Sequence, residues 1–422
     1  MLKLRSLCLN NTVPIEVFSR AVPLAATLRT QEHVLHVIFI DDRRSPVLDR
    51  MEAVARLGAG SQTRFLALLA PNRMNARDRA KLSRWSASSG IGIQPVDFEA
   101  LPPVAGCIHE GFARPGQGVS KRLRLACMLK PLLFLVLPKR VSLALVLDTN
   151  DLVPLRSFDA LLGEADQMRR KGALLGLGLE QSRFYAGLGT LFGGSSTNES
   201  TAMAPGLRGY NGGVQLHDLD AMRASPAWLA ILDAAQAGRL FPRIGYSGDQ
   251  SLFNGLVSLF PHFFHTLSCG WNRQTASWVM KPPVKHPIFN QGATVTADLL
   301  KDTPVHACAS PCAVLHLNGL KCAAKLMLEA SGGCATWKAV LDRVEQGDES
   351  SCPERRDFTW LGPRKMGNST FQSPLMVRMP PKEHGPLLAA GLRKWFGGCC
   401  RDVAAADSSA VRTAVQPRPS LR

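Results

Sequence analysis

Apolar and polar positions along the first 150 residues change period repeatedly, and the changes mark out alternating strands and helices. An apolar run at 4–9 reads as a short strand. Apolar residues at helical spacing over 14–29 (Ile15, Phe18, Val22, Leu24, Ala25, Leu28) predict a helix. Residues 34–40 form a near-continuous Val/Ile/Leu/Phe run that stops at Asp41-Asp42, as a strand buried on both faces would. Residues 46–57 read as the next helix and 65–69 as another strand. This βαβ rhythm predicts a doubly wound α/β sheet. The segment 73–118 is less regular, carries Gly and Pro, and reads as loop-rich. Residues 121–137 predict a helix that feeds an apolar strand at 143–147. Residues 173–179 are apolar with two glycines, and the small-residue stretch 187–200 reads as a flexible loop over a site.

The core pattern fades after Leu328. This predicts a main α/β domain over 1–329, a Cys/Pro/Gly-containing, poorly ordered C-terminal extension over 330–401, and a disordered Ala/Ser/Arg/Pro-rich tail over 402–422. No internal repeat is visible.

Composition narrows the classes. A chain of 422 residues, 45% hydrophobic and 20% charged, is mostly globular. Its net charge of +17 admits nucleic acid, an acidic membrane surface or small anions as partners. The basic residues are scattered, with only pairs such as Arg43-Arg44, Lys139-Arg140 and Arg355-Arg356, and Tyr occurs three times. That argues against nucleic acid and leaves a diffuse field that attracts nucleotide diphosphates, or simple solubility. No run of apolar residues is long enough for a membrane span. Read as it stands, the chain is cytosolic; with an N-terminal anchor ahead of it, it is lumenal. The 11 cysteines include a late cluster, Cys308, Cys312, Cys322, Cys334 and Cys352. No second close pair matches Cys308 and Cys312, so lumenal disulfides are expected rather than zinc. Acceptor triplets at Asn10, Asn198 and Asn368 permit a secretory location.

The chemistry begins where the 143–147 strand ends in Asp148-Thr149-Asn150-Asp151. Open α/β sheets bind ligands at the carboxyl ends of their strands. Carboxylates there suit Mg²⁺ or Mn²⁺ held against a phosphate. The same residues also make ordinary turns. Downstream, Tyr210-Asn211-Gly212-Gly213-Val214 places an amide and two glycines before an alternating strand. Asp249-Gln250 stands at a helix start, either as a cap or as a grip on sugar hydroxyls. Trp271-Asn272 is a pocket wall or plain core. His316 closes an apolar strand, followed by Asn318, Gly319 and Lys321.

Taken in order, these motifs resemble family-8 glycosyltransferases, which include glycogenin and the secretory-pathway xylosyltransferases. The resemblance covers roughly residues 4–321 and is strongest from Lys130 onward. It implies a GT-A fold, a nucleotide-binding mixed sheet flanked by helices, over the main domain. It also implies a retaining transfer of xylose, glucose or galactose from a UDP-sugar to a hydroxyl of a glycan or glycoprotein acceptor, assisted by Mn²⁺ or Mg²⁺. By resemblance, Asp148 and Asn150 stand where the family's DxD carboxylates bind the metal and donor, with Asp151 as an adjacent substitute. His316 completes the metal site and Lys321 touches the diphosphate. Asn211 and Gly213 lie beside the donor sugar, Lys130 faces the nucleotide sugar, and Asp249 and Gln250 lie near the reacting carbon. Location in the Golgi or another secretory lumen follows from the same resemblance. Two departures, Asn150 for a carboxylate and Ser251 for an aspartate, keep a second reading open: a degenerate GT-A protein that binds nucleotide or carbohydrate without turnover.

Overall fold

The computed structural model describes residues 34–41, 48–70, 74–96, 129–148, 151–180, 209–236, 249–274, 308, 310–317, 328, 365–366 and 369–370. The strand expected at 4–9, the helix at 14–29, the loop at 187–200 and the tail at 402–422 lie outside these residues, as do Asn150 and Lys321.

In chain order the elements are β1 (Leu35–Asp41), α1 (Leu48–Gly58), β2 (Thr63–Leu69), α2 (Ala76–Ser89), β3 (Gly92–Pro95), a 3-10 turn at Lys130–Leu132, α3 (Leu133–Val136), β4 (Leu143–Leu147) and β5 (Leu152–Pro154). There follow α4 (Leu162–Arg170), β6 (Leu175–Leu179), β7 (Tyr210–Asp218), α5 (Leu219–Ala224), α6 (Pro226–Gln236), α7 (Asp249–Leu259), β8 (Phe264–Leu267), β9 (Arg273–Gln274), β10 (Val314–His316), β11 (Lys365–Met366) and β12 (Ser369–Thr370). The chain forms two compact units. The first holds Met1–Ala55, Ala59–Thr149 and Phe158–Leu267; the second holds Arg56–Gly58, Asn150–Ser157 and Ser268–Arg422.

The first unit is built on a seven-stranded sheet in the order β3-β2-β1-β4-β7-β6-β8. Strands β3, β2, β1 and β4 run parallel, and β6 runs parallel to β8. Strand β7 is antiparallel to both of its neighbours, which makes the sheet mixed. The Leu-Ala-Leu-Val-Leu run of β4 is buried along its whole length, as its lack of alternation requires. Order reverses between β1 and β4, so the carboxyl ends of these strands, at Asp41 and Asp148, lie where such sheets take ligands.

Two expectations are corrected. The segment 73–118 is not simply loop-rich, since α2 and β3 lie within it. Helix α2 buries only Leu82 and Trp85, too little for an apolar stripe to show in the sequence. Its ends define it instead: the Asn75 side chain accepts from Asp78 N at 2.8 Å, and Gly90 closes it at φ 68°. Strand β7 alternates in sequence but not in burial, for all nine residues are buried. Its polar residues therefore face protein.

The second unit contains a small sheet in which β10 lies between β5 and β9, antiparallel to the first and parallel to the second. A disulfide joins Cys269 to Cys308, and Cys312 is also disulfide-bonded. Among the described residues, no helix is long and apolar enough to cross a membrane.

Candidate functional site

In the first unit the site is organised by a buried ammonium. Lys130 sits in the 3-10 turn before α3, with its side chain 7% exposed. Its Nζ lies 2.8 Å from Asp148 Oδ1, 3.1 Å from Gly212 O and 3.2 Å from Asp249 Oδ2. A lysine has three N–H donors, and each has a partner here. A buried cation is tolerated only with such pairing. Lys130 thus ties together the end of β4, the start of β7 and the start of α7.

Asp148 follows β4 directly, and its backbone N donates to Gly213 O at 2.9 Å. Its side chain is 42% exposed, so it faces solvent while Asp249, 5% exposed, does not. Burial pushes the Asp249 carboxyl above the usual carboxylate range and the charge of Asp148 adds to this, while Lys130 and the hydrogen bond from Gln215 oppose it.

Strand β7 carries the rest. Asn211 donates through Nδ2 to Glu180 Oε2 at 3.0 Å and accepts from Gly213 N at 2.9 Å. Gln250 accepts from Gly212 N at 3.0 Å, and its Nε2 lies 3.5 Å from the same Glu180 oxygen. Asn254 pins α7 to β7 by accepting from Tyr210 N at 2.6 Å and donating to Tyr210 O at 2.8 Å. Gly212 is small for a reason: a Cβ there would stand 3.1 Å from Asp249 Oδ2 and 3.3 Å from Gln250 Cβ.

In the second unit, His316 ends β10 and is buried. Its Nδ1 lies 2.9 Å from Asn272 Oδ1, so Nδ1–H donates to the amide oxygen, and in the neutral ring the lone pair is on Nε2. That Nε2 lies 3.6 Å from Asp151 Oδ1. Backbone pairing sets this up, because Leu317 N donates to Asp151 O at 2.7 Å and His316 sits opposite Leu152. An imidazole oriented through its other nitrogen is how metal-binding histidines are usually held. Carboxylate oxygen with imidazole nitrogen fits a transition-metal dication such as Mn²⁺ better than Mg²⁺. Trp271 is buried, in keeping with the core reading, and Asn272 beside it orients His316.

Lys130, Asp148, Asn211, Gly213, Asp249 and Gln250, scattered over 121 positions of sequence, therefore lie in one hydrogen-bonded cluster in the first unit. Asp151 and His316 pair in the second unit. Sequence reading missed Glu180, Gln215, His217 and Asn254. Glu180 follows an apolar strand with no motif around it. Gln215 and His217 were legible as polar residues in an alternating strand and carried no motif of their own.

No protein-family model matches the chain. Over 148 residues it is 32% identical to human xyloside xylosyltransferase 1 and 31% identical to the mouse enzyme, and the match covers 34% of this chain and 37% of each relative. The matched part thus spans well under half the length of these curated relatives. The apo structure of mouse xyloside xylosyltransferase 1 aligns at a TM-score of 0.51 and 21% identity, covering 68% of this chain and 97% of that one. The chain is a distant homologue of this glycosyltransferase and shares its fold, the GT-A arrangement of a mixed sheet with flanking helices.

Proposed function

We propose that this protein is a retaining glycosyltransferase that moves a sugar from a UDP-sugar to an acceptor hydroxyl. The observation that carries the reading is the Lys130 ammonium shared between Asp148 and Asp249. It joins the carboxylate that follows β4 to the one at the start of α7, beside the glycines of β7.

By the resemblance, we assign Asp148, Asn150 and His316 as the donors for a divalent ion, with Asp151 as a further one. When bound, the ion would supply positive charge to the donor diphosphate. Lys130 and Lys321 add to that charge, which favours departure of UDP. Asn211, Gly213, Gln250 and Glu180 form a rigid polar wall for sugar hydroxyls, and Asp249 stands as the carboxylate beside the reacting carbon. The acceptor oxygen bonds to that carbon as the bond to the UDP oxygen breaks, and the hydroxyl proton passes to the leaving phosphate. Attack on the same face retains configuration.

The name of the relatives makes UDP-xylose and a xyloside the first donor and acceptor to test; UDP-glucose and UDP-galactose follow. The Cys269–Cys308 disulfide supports residence in an oxidising lumen such as the Golgi.

A second reading, binding of nucleotide or carbohydrate without turnover, is favoured by one observation. The Lys130 ammonium sits 2.8 Å from an oxygen of Asp148, the carboxylate assigned to the ion. The test is UDP release from each UDP-sugar with and without Mn²⁺, beside calorimetry with UDP. Mn²⁺-dependent release supports the enzyme. UDP binding without release on a broad acceptor panel supports the second reading, and absence of both overturns the two together.

A further inference from the structure

Behind Asp249, strand β7 carries two polar side chains that no surface accounts for. Gln215 and His217 are both 0% exposed. Gln215 Nε2 lies 2.7 Å from Asp249 Oδ2 and 2.7 Å from Gly212 O. An amide nitrogen has two hydrogens, so both are committed and the amide oxygen must accept. His217 Nε2 lies 3.0 Å from that oxygen, and the bond this allows is Nε2–H donating to Oε1. The ring therefore carries a proton on Nε2, burial keeps it neutral, and it packs edge-on against Phe253 with centroids 6.5 Å apart. Its Nδ1 has no hydrogen-bond partner among the described residues.

This arrangement is directional. Flipping the Gln215 amide would turn its oxygen onto the Asp249 carboxylate and the Gly212 carbonyl, two repulsions in place of two bonds, and would force His217 into its other tautomer. The carboxylate and the Gly212 carbonyl thus set the orientation of the amide, and His217 Nε2–H holds its oxygen in place. The other charged groups around Asp249 are Lys130 from the turn before α3 and Asp148 after β4, with Glu180 after β6 reached through Gln250. Burying such a pair has a desolvation cost that apolar residues of the same size would avoid.

We propose that Gln215 is a positioning residue that holds the Asp249 carboxylate toward Lys130, and that His217 keeps the Gln215 amide in the orientation able to do so. The catalytic consequence rests on the glycosyl-transfer reading of Asp249; the relay itself does not.

The test has two arms on the full chain. In the first, the Gln215 side-chain amide resonance is identified in a ¹H–¹⁵N spectrum by its loss in Gln215→Met. It is expected to move in Asp249→Ala, in the milder Asp249→Asn and in His217→Leu, but little in His217→Gln, which keeps a donor. In the second, Gln215→Met and His217→Leu should each lower kcat for UDP-sugar turnover at least about tenfold, with KM changed less than about threefold. His217→Gln should retain most activity, and adding His217→Leu to Gln215→Met should cost nothing more. An amide resonance indifferent to both Asp249 variants and to His217→Leu overturns the proposal, as does full kcat in folded Gln215→Met. Wild-type protein without turnover, but with the amide response intact, removes the functional reading and leaves the relay standing.

Discussion

Lys130 and Asp249 form an ion pair of 3.2 Å with side chains only 7% and 5% exposed. Neither residue has a charged neighbour in sequence that foretells the other, and the pair exists because the turn before α3 and the start of α7 meet at β7. Removing one member leaves the other charge buried and unpaired. Lys130→Met should therefore destabilise the first unit by about 3–5 kcal/mol and abolish UDP-sugar turnover. Urea unfolding followed by fluorescence would check the first effect; a loss below about 1 kcal/mol would contradict the ion-pair account.

Acidification should expose His217. Burial, with a smaller contribution from Lys130, holds its ring down to about 3 against an ordinary value of 6.5. The unfolded chain then binds a proton that the folded chain refuses, so stability falls as pH drops from 6.5 toward about 3. The shift corresponds to on the order of 4–5 kcal/mol at the low end. Asp249 works in the opposite sense, because its raised value makes its ionisation oppose folding as pH climbs. The difference between wild type and His217→Gln isolates the histidine: wild-type stability should fall more steeply across this window, and parallel curves would refute the assignment.

Asn272 should matter for metal without touching it. Its amide oxygen sits 2.9 Å from His316 Nδ1 and fixes which nitrogen carries the lone pair. Asn272→Ala is expected to weaken Mn²⁺ binding about 10- to 100-fold, measured by calorimetry without any sugar donor. His316→Ala should weaken it further. Unchanged Mn²⁺ affinity in both variants would withdraw His316 from the donor set.

Reduction should loosen the second unit. The Cys269–Cys308 bridge closes a 39-residue separation, and Ala313 N donates to Gly270 O at 2.8 Å beside it. Cys269→Ser with Cys308→Ser should cost about 2–4 kcal/mol. Thermal unfolding with and without dithiothreitol gives the measurement, and coincident curves would show that the bridge adds no stability.

Much of the first unit was legible because β4 is apolar from end to end and β1 nearly so. The β1 and β4 runs, and the acids that stop them, follow from backbone groups that must be paired while side chains on both faces are buried. Helix α2 was not legible, since Asn75 and Gly90 define it with little help from a buried stripe. The Asp-Gln pair that opens α7 and the Asn-Gly-Gly segment of β7 were readable as motifs only when taken together and in order.

Sequence alone determined the alternation of strands and helices, the acids after β4, the strand-ending histidine and the resemblance to glycosyltransferases, because these depend on local period and on the order of residues. The tertiary structure alone decided that Lys130 bridges Asp148 and Asp249, that Glu180 holds Asn211, and that Gln215 and His217 face inward beside Asp249. Those pairings bring together residues from different elements, and strand order and burial, which no local window contains, choose which of them meet.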